Sequence, residues 1–568
     1  MRPSRLLTLL LAAGMAVAAC GTASTSGGGG SATNPGTVGG KMVIDNENGS
    51  TWTCQFNPFN GADTFLSFGF VYEELYYVDT LKTNADGSNV STPWLATAYQ
   101  WSNSDQTLTF TIRSGVTWND GQPFSAQDVA YTFNLESQYS AMDALGLWKA
   151  DGGPLTAVTA QGDQVTFTFD APAQTYFYYV ADQTPIVSQH IFSAVPTSQL
   201  TNNSYADSKP VGTGPYTVSS CSPNNIQYSR NPHYWQSTAS HPVPQVQTLE
   251  YPAYLSNSSA NLVLRQGGAQ WGAQYIPNIQ SYYISPDPSH RHYWFPPAEN
   301  VGIYINTTAP LLDIVAVRQA ISDAIDRSQV SQRGEDGYEP PANQTGIVTP
   351  TFDAWYDKSI DNTTYSVSKA DQLLESAGFT KGSDGIYQNA QGQPLSFTLQ
   401  TVTGYTDWDS SLQVIQQELQ QAGIQVKVVD EDNSSVLQPN LQKGNFTLAY
   451  YEQPSGGPSP YYELRDALFS GNIGSTNYSQ WKDSQTDQLF DSFATASSTS
   501  DQVSIMHQIE QIMVNDVPFI PVTEGVTWYQ YDTTSFGGWP TSQDPYALPA
   551  VWAYPDEGVV LTHLFPLS

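Results

Sequence analysis

The sequence predicts an α/β fold built in more than one lobe, and three observations carry that prediction. At 568 residues the chain exceeds what a single hydrophobic core fills, so about two or three lobes are expected. Residues 395–428 read as strand, helix, strand: Leu395, Phe397 and Leu399 alternate, Leu412, Ile415 and Leu419 recur at helical spacing up to Gly423, and Ile424, Val426 and Val428 alternate again. A unit of that order makes its two strands parallel. The run from Trp94 to Leu135 reads as strand, turn, helix.

The elements follow in chain order. Residues 1–19 hold Arg2 and Arg5 ahead of the apolar run Leu6 to Val17, which marks a secretory leader too short to span a ~30 Å bilayer comfortably. Thr22 to Gly40 is rich in Gly, Ser and Thr without apolar periodicity, the composition of a flexible tether. Lys41 to Asp45 opens the folded body as a strand. In the central run, Leu108, Phe110 and Ile112 alternate with threonines and predict a strand with one buried face. Asn119-Asp120-Gly121 is a turn. Ser125, three residues before Asp128, has the spacing of a capping box and opens a helix through Val129, Phe133 and Leu135. Val165, Phe167 and Phe169 give a second alternating strand. Pro210 to Tyr216 holds two glycines but lacks the Lys-Ser/Thr of a P-loop and the third Gly of a dinucleotide loop, so its glycines serve a backbone turn. Val301 to Asn306 is a strand, and Ile314, Val317 and Ile321 predict the helix after it. Ser368 with Asp371 is expected to cap a further helix that stops at Gly378. Helices near Asp487–Phe493 and Asp501–Val514 precede a strand at Pro518–Val522.

Charge excludes some functions. The net charge is −32, and −34 once Arg2 and Arg5 leave with the leader, 18 basic residues against 52 acidic. Such a surface repels phosphate backbones, so nucleic acid is excluded as a partner. Aromatic residues make up 12%, enough to furnish a binding cleft as well as a core. No nucleophile elbow, zinc-protease motif, Walker A loop or C-x-x-C is present. His290-x-His292 supplies two metal ligands, too few for a site. A secreted glycoside hydrolase would share the acidic, aromatic composition and would need two carboxyls ~5–9.5 Å apart across a cleft. Cys54 and Cys221 remain once Cys20 is assigned to the leader. In an oxidising location they form one disulfide or stay as two buried thiols.

Several stretches resemble a known family. Leu95-Ala96, Trp101, Arg113, Gly115-Val116, Trp118, Asp120-Gly121, Ala126, Asp128-Val129 and Tyr131-Thr132-Phe133 hold the fixed spacings of one signature. Val211 to Tyr216 with Asn231-Pro232-His233-Tyr234-Trp235 is similar to a second, and Val317 to Arg327 to a third. The chain is thereby identified as a member of the family-5 extracytoplasmic solute-binding proteins, the dipeptide, oligopeptide and nickel class of ABC-importer receptors. The resemblance implies an α/β, two-lobed fold of the periplasmic-binding-protein type, with a hinge and an extra subdomain. The first lobe is expected at 41–296 plus 526–568, with 66–205 as its subdomain, and the second at 297–525. Val17-Ala18-Ala19-Cys20 resembles a lipobox, which implies cleavage before Cys20, lipidation of its thiol and an extracytoplasmic protein anchored through residues 20–40. No enzymatic activity, cofactor or metal is implied; the partners are a membrane permease and an oligomeric solute, and the receptor is a monomer.

The resemblance places ligand-binding candidates at Asn57 and Phe59 on the cleft lip, Trp294 near the hinge, and Trp408, Tyr450, Tyr451, Glu452 and Gln453. Arg318 and Asp326 are expected to be structural. Peptide-binding members commonly carry an aspartate near the last of these stretches, facing the peptide's ammonium. Here Gln453 to Pro458 stands in its place, and Glu452 is the acid that could substitute. The ligand is an oligopeptide by family default, or a short β-linked oligosaccharide, toward which this departure and the C-terminal run Gly538 to Asp556 point.

Overall fold

Three sheets carry the body in the computed structural model, which describes residues 37–568 except 47–49, 60–63, 84–88, 140, 203, 362, 455, 497 and 568. The leader, Cys20 and the first part of the tether lie outside the described residues. The strand predicted from Lys41 begins slightly earlier, at Gly39–Asp45. It sits inside a seven-stranded sheet whose order is Arg291–Tyr293, Gln530–Asp532, Trp271–Gly272, Gly39–Asp45, Val246–Pro252, Asn225–Arg230 and Tyr216–Ser222.

A five-stranded sheet is ordered Gln425–Glu431, Ser396–Val402, Leu448–Glu452, Pro297–Ile305 and Phe519–Val526. Its first two strands are parallel, with the helix Thr406–Gln421 between them in sequence, as the alternating pattern requires. A four-stranded antiparallel sheet holds Ala96–Ser102, Thr107–Ile112, Gln164–Phe169 and Leu155–Gln161. Leu108, Phe110, Val165 and Phe167 are fully buried on its inner face. Ser125 caps the helix Ala126–Glu136 with the reciprocal box to Asp128.

The helix predicted from Ser368 differs in its start. It spans Val367–Ser376, and Ser366 is the cap, its hydroxyl accepting from the Lys369 N–H; Ser366 holds the extended backbone a cap needs, whereas Ser368 is already helical.

The signature residues turn out to brace one another. Trp94 and Trp235 donate their indole N–H, and Tyr234 its hydroxyl, to the buried Glu73 carboxyl at 2.8, 3.0 and 2.7 Å. Arg113 donates to the Trp94 carbonyl at 2.7 Å and lies 4.4 Å from the Trp235 ring centroid. The glycines of Val211 to Tyr216 admit a neighbouring chain: a Cβ on Gly212 would stand 1.8 Å from the Val71 carbonyl oxygen. Arg318 donates to the carbonyls of Leu312, Asp516 and Val517, and the Asp326 side chain caps the helix Arg327–Gly334. Cys54 and Cys221 are joined by a disulfide with Cα atoms 5.8 Å apart.

Two strands run between the seven- and five-stranded sheets. The chain leaves the larger sheet after Tyr293, enters the smaller at Pro297, and returns between Val526 and Gln530. The two crossings are tied side by side: Trp294 N–H donates to the Tyr529 carbonyl, and Thr527 N–H to the Pro296 carbonyl.

Candidate functional site

Two adjoining chambers lie where segments from these sheets face each other. One, of 210 Å³, is walled by Asn46, Asn257, Gln274, Glu299, Glu339, Asp407, Trp408, Asn433, Gln438, Tyr451, Glu452, Trp528 and Trp552 among others. The other, of 350 Å³, shares Phe65, Glu299 and Trp552 with the first. Beyond that common wall it is mostly apolar.

The first chamber is built from strand ends and a helix start. Glu452 ends the strand Leu448–Glu452 and pairs with Val301, two residues beyond Glu299 on the neighbouring strand. Asp407 stands in the first turn of the helix Thr406–Gln421, where a carboxylate complements the helix dipole. Trp408 packs edge-on against Tyr451 and Tyr450, ring centroids 5.7 and 5.6 Å away. The Tyr451 hydroxyl accepts from Gln438 Nε2 and donates to Asn433 Oδ1, at 3.0 and 3.2 Å. Asn257 spans the opening: its N–H donates to the Gly404 carbonyl and its amide to Asp407 Oδ1. Gly404 has a φ of +93°, and a Cβ there would meet the Leu255 carbonyl oxygen at 2.5 Å, so the close approach depends on glycine.

The chamber's electrostatics are one-sided. Among the described residues, its walls carry four carboxyls and no Lys, Arg or His. Burial, reinforced by Glu299, Glu339 and Asp407, pushes Glu452 up to about 8. Burial lifts Glu339 to about 8, and Glu299 and Asp407 to about 7. Thr523 donates its hydroxyl to Glu339 at 2.6 Å, and Asn257 serves Asp407. No donor among the described residues reaches the Glu452 carboxyl, whose displacement has only burial and neighbouring acids as causes. Burial and the like charge of its neighbours oppose ionisation of each of these groups.

Of the residues singled out from sequence, Trp408, Tyr451 and Glu452 meet in the first chamber and Phe59 lines the second. Four others stand elsewhere. Asn57 is fully buried; its amide donates to the Leu200 carbonyl and its oxygen accepts from the Phe59 N–H, so it shapes the turn that presents Phe59. Tyr450 is fully buried against Trp408 and lines neither chamber. Gln453 is buried, its Oε1 accepting from Asn300 Nδ2 at 3.1 Å. Trp294 lies on the crossing strand, packed against the core and outside the walls of both chambers. Glu299, Glu339, Asp407, Trp528 and Trp552 were not singled out from the sequence. Their gathering is set by long-range strand pairing, and among so many acids no local spacing marks them. His290 pairs with Asp287 at 3.0 Å and His292 stacks on Tyr531; among the described residues no group of three or more His, Cys, Asp or Glu is placed to hold a metal.

Comparison with known proteins fits this geometry. The family model described as bacterial extracellular solute-binding proteins, family 5 middle, matches residues 91–475, well over half of the chain. The chain belongs to this family. Family-5 relatives include the oligopeptide-binding protein AppA of Bacillus subtilis (strain 168), 25% identical over 426 residues, covering 72% of this chain and 73% of AppA. The nickel-binding periplasmic protein of Escherichia coli (strain K12) is 22% identical over 409 residues, covering 71% of this chain and 74% of that protein. Among solved structures, a mannohexaose-bound periplasmic oligopeptide-binding protein of an ABC transporter from Thermotoga maritima superposes with a TM-score of 0.83 at 24% identity, over 93% of this chain and 98% of that one. The fold is thus the two-lobed α/β architecture of the periplasmic binding proteins, and the protein is a solute receptor of an ABC importer. Family-5 members are extracytoplasmic binding proteins that work with ABC permeases. No helix among the described residues is long and apolar enough to cross a membrane.

Proposed function

We propose that this family-5 receptor captures oligopeptides with a free amino terminus, holding the ammonium in the carboxyl chamber, and delivers them to its permease. One observation carries the reading: among the described residues, four carboxyls and no basic side chain wall the first chamber. An ammonium entering a closed cleft loses its water, which costs several kcal/mol unless a carboxylate is placed for it. Glu452, half-buried and without a donor, is that group. The peptide-binding relatives support the same class. The lobes are taken as 41–296 plus 526–568 and 297–525, closing about the paired crossing strands.

The second reading is a short β-linked oligosaccharide. Trp408, Trp528 and Trp552 offer indole faces for sugar rings, and Asn46, Asn257, Gln274, Asn433 and Gln438 offer amides to hydroxyls. The mannohexaose in the Thermotoga maritima protein is in keeping with it. Calorimetry with free-amine peptides, their N-acetylated forms and a β-glucan oligomer series separates the two. The peptide reading requires Glu452→Gln to weaken free-amine peptides by about 1.5–3 kcal/mol, a charge-assisted hydrogen bond's worth. For a sugar, Tyr451→Ala would matter more than Glu452→Gln. Free-amine peptides that bind equally well to Glu452→Gln would defeat the assignment.

The receptor is further proposed to be a monomer that catalyses no turnover and is held at the membrane by lipid on Cys20. Hydrolysis of a chromogenic β-glycoside would contradict the first point. A Cys20→Ser protein that stayed lipid-modified and membrane-bound would contradict the second.

A further inference from the structure

The second chamber asks for a different chemistry from the first. Phe59, Phe65, Phe68, Leu145, Phe352 and Trp552 line it. Apart from Glu299 on the shared wall, its carboxyls are engaged by the fold or deeply buried. Asp143 accepts from the N–H groups of Leu147 and Trp148, Glu463 from Asn300, and Asp556 from Tyr77 and the Leu548 N–H. Burial, with Asp143 beside it, pushes the Glu136 carboxyl well above the ordinary carboxylate range. Away from the shared wall with Glu299, its walls suit a bulky apolar group.

The two chambers adjoin through Phe65, Glu299 and Trp552. A peptide advances about 3.3 Å per residue and throws successive side chains to alternate sides. With its ammonium beside Glu452, a peptide would therefore send an early side chain past this shared wall. We infer that the apolar chamber is a side-chain compartment that makes the receptor selective for peptides carrying a large apolar residue, Phe or Leu in kind, close behind the free amino terminus. The inference rests on the peptide reading above and adds to it a specificity that the carboxyl chamber alone would not produce.

The test compares Ala-Ala-Ala with tripeptides bearing Phe or Leu at the second or third position, by calorimetry on the purified protein. Burying one such side chain is expected to tighten binding about ten- to hundredfold over Ala-Ala-Ala. Ala144 is exposed at the rim of the apolar chamber, so Ala144→Trp should fill the compartment and bring the Phe-to-Ala affinity ratio close to one. Phe352 is half-buried, and Phe352→Ala should lower the same ratio by opening the wall. Thermal melts of both variants establish that they fold. Peptides that bind without regard to side chain, or a ratio unmoved in both variants, would overturn the compartment and leave the ammonium reading standing. Discrimination that survives N-acetylation would overturn the ammonium reading and leave the compartment. No peptide binding at all would sink both.

Discussion

Glu73 and Glu452 are both removed from bulk water, yet they stand in opposite circumstances. Glu73 receives an indole N–H from Trp94, another from Trp235 and the hydroxyl of Tyr234. Every donor comes from the fold, and the carboxyl has no call on a ligand. Glu452 looks into a chamber with three other acids nearby and no donor. The difference separates a carboxyl that holds the first lobe together from one that waits for a partner, although both are displaced above the ordinary carboxylate range. A displaced pKa alone would not have told them apart; the hydrogen-bond inventory does.

Four measurements break or sharpen that contrast. Glu73→Ala strands three donors, those of Trp94 and Tyr234 buried and that of Trp235 partly so, and is expected to destabilise the protein by about 3–5 kcal/mol, read by denaturant unfolding. A loss below about 1 kcal/mol would mean that Glu73 is not the brace it is taken for. Replacing Cys54 and Cys221 together by Ser tests the other tie within this lobe. The bridge closes a separation of 167 residues, and its loss should cost about 2–4 kcal/mol without changing ligand preference.

The third measurement is the pH dependence of the unliganded protein. Glu452 and Glu339 sit near 8, and Glu299 and Asp407 near 7. All lie above the value of about 4 that the unfolded chain would show. Between about pH 5 and 8 the folded protein therefore holds more protons than the unfolded chain. Its stability is full below about pH 4 and falls as pH rises from about 5 to 8, by about 1 kcal/mol or more, levelling off above that. A melting temperature that rose over this window would contradict the assignment. A free-amine peptide should bind more tightly as the chamber ionises, until its own amine titrates near about 8. Last and smallest, Glu452→Gln should leave the unliganded protein as stable at neutral pH or raise it by up to about 1 kcal/mol, because it removes a carboxyl whose ionisation burial and the neighbouring acids oppose. That sign is opposite to the Glu73 variant.

Much of the fold was readable without coordinates because it is written in local spacing. Ser125 and Asp128 fixed a helix start; Leu395, Phe397 and Leu399 and the helix after them fixed a parallel pair. Where two caps competed, at Ser366 and Ser368, backbone conformation chose the one the spacing did not. The site was legible in part. Tyr451 and Glu452 stood out as a run and line the first chamber, whereas Tyr450 beside them is fully buried and lines neither chamber, which its residue type does not reveal. Asp407, Glu299 and Glu339 come from three separate elements, and Glu73 takes its donors from residues 21, 161 and 162 positions away. No short-range pattern encodes either gathering.

The return crossing has a consequence for how the protein is made. Gln530–Asp532 is an inner strand of the seven-stranded sheet, paired with Trp271–Gly272 on one side and Arg291–Tyr293 on the other. Until residue 532 has joined, both neighbours present bare strand edges, and the sheet begun at Gly39 is incomplete. A chain growing from its amino end cannot finish the seven-stranded sheet before the five-stranded one has been synthesised. Contacts of such long sequence separation fold slowly, so the polypeptide stays open late. That is the condition in which a secreted chain can still be threaded through a narrow channel, and the one in which a C-terminal truncation ahead of residue 530 would leave an aggregation-prone edge behind.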